Sequence, residues 1–88
     1  MTDRAAQAVG RNVRAEMARN GLTQGALAQP LRLTQPAISR RLTGDVPFNV
    51  SELAIVSRMV GVPLSRLVAG AERRDARVSG AADLAVAS

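Results

Sequence analysis

The chain has 88 residues, twelve arginines, no lysine, seven acids and a formal net charge of +5, with neither cysteine nor histidine. That length suits one domain with one small core. The missing residue types exclude disulfides, thiolate chemistry, finger-type zinc sites and histidine-based catalysis.

The one aromatic, Phe48, is too little for a base-stacking platform of the single-strand type, and reads as a core plug. The N-terminal stretch MTDRAAQAVGRN lacks the apolar region of a signal peptide. No apolar run approaches the roughly 18 residues of a membrane span. The sequence therefore reads as a cytoplasmic protein with no membrane contact. Charge is distributed unevenly. Residues 1–44 hold seven arginines and two acids, net +5, whereas residues 45–88 hold five of each. A one-sided positive field is the footprint of a polyanion binder, and a solvated basic face without a partner is the plain alternative.

Taken in chain order, the periodicity predicts five helices. The first runs from about Asp3 to Asn20, capped by Thr2 or Asp3. Ala6, Val9, Val13 and Met17 form its apolar stripe at spacings of three and four. Asn20-Gly21 is a stop signal. Thr23 caps a second helix from Gln24 to about Gln29, with Leu27 and Leu31 on its inner face. Pro30 lacks an N–H and crowds the preceding turn, so this helix is expected to be short or distorted at its end.

Thr34 caps a third helix, about 34–42, with Pro36 in the first turn where a missing N–H costs nothing. Ile38 and Leu42 face inward, and Thr43-Gly44 closes it. After the loop GDVPFN, Asn49 or Ser51 caps a fourth helix with the stripe Leu53, Val56 and Val60. Gly61 ends it, and Pro63 opens a short fifth helix with Leu64, Leu67 and Val68 apolar. Residues 1–70 are read as one domain. Residues 71–88, small and polar and interrupted by Gly80, read as a flexible tail or a helical extension.

Two short helices joined by a tight turn, the second opening on polar residues, form the helix-turn-helix pattern. A helix set end-on in the major groove reads bases with its first turns. Those positions are Gln35, Pro36, Ser39 and Arg40. Its N-terminal partial positive charge suits a phosphate-lined groove.

The stretch GLTQGALAQPLRLTQPAISRRLTG, followed by SELAIVSRMVGV and PLSRLVAG, resembles the lambda-repressor and Cro type of helix-turn-helix protein, also called the XRE type, over about residues 5–70. The matching pieces are LTQ at the start of helix two, Leu27-Ala28, TQxAIS opening helix three, and the GVP before helix five. The resemblance implies an all-α, compact, lambda-repressor-like bundle of about five helices with helices two and three as the helix-turn-helix. It also implies binding to double-stranded DNA without a cofactor, metal or small-molecule substrate. Transcriptional regulation of the repressor kind follows, as in phage or prophage regulators, by a homodimer on a palindromic operator.

Carried over by position, Gln35 is the leading base reader, able to bond adenine N6 and N7 together. Pro36 offers only apolar contact, while Ser39 and Arg40 reach bases or phosphates. Gln24 matches a phosphate-binding glutamine that also braces Gln35. Thr23, Thr43 and Asn49 match backbone-contacting caps, and Arg11, Arg14 and Arg41 are phosphate partners by charge. The chain departs from the family at three places. Arg32 stands where the turn usually has glycine, Pro30 where a helix former is usual, and Arg41 where an apolar residue is usual. Arg32 is expected to alter the turn's shape, because a left-handed non-glycine residue costs about 1–2 kcal/mol. An antitoxin-like module that also binds a partner protein is the competing function. An enzyme is not expected, since no nucleophile–base pair is visible.

Overall fold

The computed structural model describes residues 3–72. Apart from Ala71 and Glu72, which continue the chain as turn, the tail expected over 71–88 lies outside the described residues.

Helix α1 (Arg4–Asn20) starts on Asp3, whose carboxylate accepts from the Ala5 N–H at 3.0 Å. It stops on Gly21 in the left-handed region. There Gly21 N–H donates to Ala18 O and Leu22 N–H to Met17 O, so the last carbonyls are satisfied in a Schellman motif. Helix α2 (Gln24–Leu31) is capped by Thr23, and α3 (Gln35–Thr43) by Thr34; each threonine hydroxyl accepts from the N–H three residues on at 3.2 Å. Helix α4 (Val50–Val60) begins on Asn49 and α5 (Leu64–Leu67) on Pro63. Among the described residues there is no strand, and no helix is long and apolar enough to cross a membrane.

Helix α2 runs two residues beyond the expected end and carries Pro30 inside it. Two features hold that last turn. Leu31 is buried in the core, and Arg32 and Leu33 donate to Gln29 O and Ala28 O at 3.1 and 2.9 Å. The bond that Pro30 cannot make belongs to Ala26 O. Both residues lie on the exposed side, where solvent access keeps the cost of that missing bond small.

The turn itself corrects the expectation for Arg32. The residue adopts φ 57 and ψ 45, the left-handed conformation a glycine would take, so arginine retains the turn shape at the cost of local strain. Arg32→Gly should therefore stabilise the protein by about 0.5–1 kcal/mol. That is the relieved strain less the extra chain entropy of a glycine. The midpoint of urea unfolding reads the change, and a lower midpoint contradicts the strain.

One fully buried side chain comes from each helix: Val13, Leu27, Ile38, Val56 and Leu67. Around them close Val9, Met17, Leu31, Leu42, Leu53, Val60 and Phe48, the last from the loop before α4. Phe48 is thus the plug its lone aromatic side chain suggested. Helix α1 packs on α3, α4 and α5, and α2 packs on α3 and α4. Helix α3 is thereby held from both sides.

The α1–α3 crossing depends on two glycines. A β-carbon at Gly10 would lie 2.4 Å from Leu42 O and 2.9 Å from Arg41 O. At Gly44, whose φ is +88, it would lie 2.7 Å from the Gln7 backbone. The end of α3 therefore rests directly on the backbone of α1.

Candidate nucleic-acid interface

The burial pattern of α3 divides its residues cleanly. Ile38 and Leu42 are buried, Gln35, Pro36 and Arg40 are exposed, and Ser39 is half-buried. An inward pair four apart anchors the helix while its first two turns project polar groups outward. The Gln35 side chain makes no hydrogen bond with any described residue, and the ion pairs of Glu16 and Glu52 do not involve Arg40. Their donors and acceptors are open to a ligand.

The caps surround this helix with further groups. Thr23 and Asn49 are exposed. The Thr23 hydroxyl oxygen accepts from Ala26 N–H, which leaves its proton to donate. Asn49 accepts through Oδ1 from Glu52 N–H at 2.7 Å, which leaves its NH2 group outward. Thr43 differs. Its hydroxyl donates to Arg40 O at 3.0 Å, so a phosphate contact requires it to release that carbonyl.

Gln24 is exposed but does not bond to Gln35, so the expected brace between the two side chains is absent. The carboxamide of Gln35 lies instead over Gly25. Its Nε2 is 3.1 Å from where a β-carbon at that glycine would stand.

Of the arginines, Arg41 has an internal position. Its Nε donates to Glu52 Oε1 at 3.0 Å and its Nη1 to Ala37 O at 3.2 Å, and only 17% of its side chain is exposed. The same Glu52 oxygen accepts the Asn49 N–H, which closes a capping box at the start of α4. One carboxylate thus ties the last turn of α3 to the first turn of α4. Arg11 and Arg14 are exposed and pair with no described carboxylate; Glu16 is taken by Arg19 and, at 3.9 Å, by Arg66. Arg14 follows Gly10 by one turn, on the side of α1 that meets α3. Arg11 lies apart from it, lining with Arg4, Asn12, Ala69 and Gly70 an open groove of about 240 Å³ at the end of α5.

Three residues that position the site carry little signal in the sequence. Gly10 sits inside a helical pattern without a gap around it. Asn12 donates to Leu67 O and Ala69 O at 2.9 and 2.8 Å, which closes the end of α5 against α1. Gly25 interrupts no pattern. Each acts through a partner distant in sequence. The LTQ and TQxAIS motifs, by contrast, are local.

No protein-family model matches the chain, and no curated protein matches it in sequence. Solved structures do match in shape. The clp gene regulator ClgR from Corynebacterium glutamicum aligns with TM-score 0.70 and 24% identity, over 94% of this chain and 88% of that one. The DNA-binding domain of BldD aligns with TM-score 0.64 and 24% identity, over 77% of this chain and 99% of that one. The restriction-modification controller protein C.AhdI from Aeromonas hydrophila aligns with TM-score 0.63 and 16% identity, over 70% and 94%. At such identities the likeness speaks for the fold. Over the described residues the chain has the compact, five-helix, lambda-repressor-like fold, with α2, the turn at residues 32–34 and α3 as its helix-turn-helix.

Proposed function

We propose that the protein is a sequence-specific, double-stranded DNA-binding transcriptional regulator of the repressor kind, with α3 as the helix that enters the major groove. The observation that carries this reading is the N-terminal half of α3. Gln35 and Pro36 there and Arg40 one turn further on are exposed, while Ile38 and Leu42 lock the helix into the core. The three structures of similar shape are, by their names, a gene regulator, a controller protein and a DNA-binding domain.

In this reading Gln35 bonds an adenine edge, Arg40 a guanine edge, and Ser39 and Pro36 complete the base contacts. Thr23, Gln24, Asn49 and Arg14 hold the phosphates that flank the groove, with Arg11 further out. Arg41 contributes by fixing the pitch of α3 through Glu52 rather than by lending its charge, and Thr43 closes the helix end. Binding as a homodimer on a palindromic operator excludes competitors from a promoter. It needs no chemistry, cofactor or small-molecule substrate.

Selection from random duplex DNA at about 0.15 M salt tests the reading. A palindrome with half-sites about 34–36 Å apart is expected. Weak, steeply salt-dependent binding without a motif overturns it, since phosphate tracking alone gives that result. On the enriched site, Gln35→Ala and Arg40→Ala should each cost about 1–3 kcal/mol. Non-specific binding should barely respond to Gln35→Ala. Gel-shift titration on specific and random duplexes measures both, and unchanged specific affinity in both variants removes α3 as the reader.

A further inference from the structure

Gly25 is the second residue of α2 and is exposed, a position at which most residues support a helix better than glycine does. Its backbone is not in the left-handed region, so no conformational need calls for glycine. What distinguishes the position is its neighbour. Outside its chain neighbours and its own helical backbone, a β-carbon there would meet only Gln35 Nε2 at 3.1 Å and Thr23 Oγ1 at 3.7 Å. The carboxamide of Gln35 thus rests on the first turn of α2, in the space a side chain at residue 25 would fill. No hydrogen bond to Gln24 or to any other described residue holds it. The surface left open by Gly25 is its support.

We infer that Gly25 is a positioning residue for Gln35: by having no side chain, it sets where the carboxamide lies and from which direction it meets a base edge. The inference rests on the reading of α3 given above. A two-pronged amide contact to a base requires the planes and both bond lengths to agree, so a displacement of half an ångström matters. The group that must give way is the far end of a flexible side chain. A residue added at 25 therefore disturbs recognition while leaving folding intact, and it gains helix propensity.

The experiment uses the full chain, the site enriched from random duplex DNA, and that site with each base pair changed in turn. The variants are Gly25→Ala, Gly25→Leu, Gln35→Ala and the double variant Gly25→Leu/Gln35→Ala. Gly25→Ala is expected to melt about 2–4 °C higher than the parent. In its free form the side-chain NH2 resonances of Gln35 should move, while the backbone amides of α3 stay in place. Gly25→Leu is expected to lose about tenfold in discrimination at the one base pair where Gln35→Ala loses it. The double variant should lose no more than Gln35→Ala alone. Additive losses, a loss spread evenly over all base pairs, or unmoved Gln35 resonances overturn the inference while leaving α3 as the reader. If Gln35→Ala alters discrimination at no base pair, the assignment of Gln35 falls, and this inference with it.

Discussion

Gly10→Ala should lower the stability of the protein by about 2–3 kcal/mol, although it replaces a mid-helix glycine with the best helix former. The propensity gain is about 1 kcal/mol. Against it stands a methyl group 2.4 Å from Leu42 O and 2.9 Å from Arg41 O, far inside van der Waals contact. Neither atom is the end of a flexible side chain. Both are backbone carbonyls in the last turn of α3, so relief requires α3 to move away from α1, opening the core around Leu42. Overpacking typically costs about 1–3 kcal/mol and occasionally more; against two backbone carbonyls this close, about 3–4 kcal/mol is expected, and the propensity gain leaves a net loss of about 2–3 kcal/mol. A domain of this size has only about 3–5 kcal/mol in hand, so the variant should be partly unfolded at 37 °C.

Gly21→Ala is the control. Its β-carbon meets nothing, and only the left-handed φ of +65 is strained, so about 1 kcal/mol is expected. Urea unfolding of the two variants compares them directly. If Gly10→Ala proves as stable as the parent, α1 and α3 do not meet backbone to backbone at Gly10.

Glu52→Ala should cost about 2–4 kcal/mol, and the loss has two separable parts. Glu52 Oε1 accepts from the Asn49 N–H and from Arg41 Nε, both at 3.0 Å, and the residue is 8% exposed. Removing it takes away half of the capping box at α4. It also leaves the Arg41 guanidinium, largely covered by protein, without its counter-charge. Removing one partner of a buried pair is the expensive case, because the other keeps its desolvation penalty. Glu52→Gln keeps an acceptor for Asn49 but no charge, and should fall between parent and Glu52→Ala.

The discriminating measurement is a double-mutant cycle with Arg41→Met. If Arg41 and Glu52 act as a pair, Arg41→Met recovers part of the Glu52→Ala loss, with a coupling energy of about 1–3 kcal/mol. Strict additivity means that the bridge contributes only through the cap. The same cycle separates the two views of Arg41 in DNA binding. A residue that fixes the pitch of α3 affects specific binding through Glu52. A phosphate partner instead lowers affinity for all sequences equally and flattens the salt dependence by about one unit of slope.

The five helices and their caps were legible in the sequence because their causes are local. Asp3, Thr23, Thr34 and Asn49 each bond an N–H two or three residues away, and Gly21, Gly44 and Gly61 stop helices by their own backbone freedom. The apolar stripes Ala6, Val9, Val13, Met17 and Leu53, Val56, Val60 follow from the helical repeat alone, and all of them are buried. The outward-facing set on α3 is legible for the same reason, since the residues that anchor a helix define which ones face away.

The tertiary structure decided everything that depends on a partner far along the chain. Pro30 remains helical because Leu31 is buried and the turn bonds close beneath it, a packing effect stronger than a local preference. Arg32 takes a glycine conformation because α2 and α3 must meet at that angle. Arg41 turns inward because Glu52, eleven residues later, is brought beside it. The emptiness of Gly10 and Gly25 acquires meaning only once Leu42 and Gln35 are placed against them. Local patterns record how a segment satisfies its own backbone and hides its own apolar face. The distance between two backbones and the charge that ends beside another are set only when the helices pack.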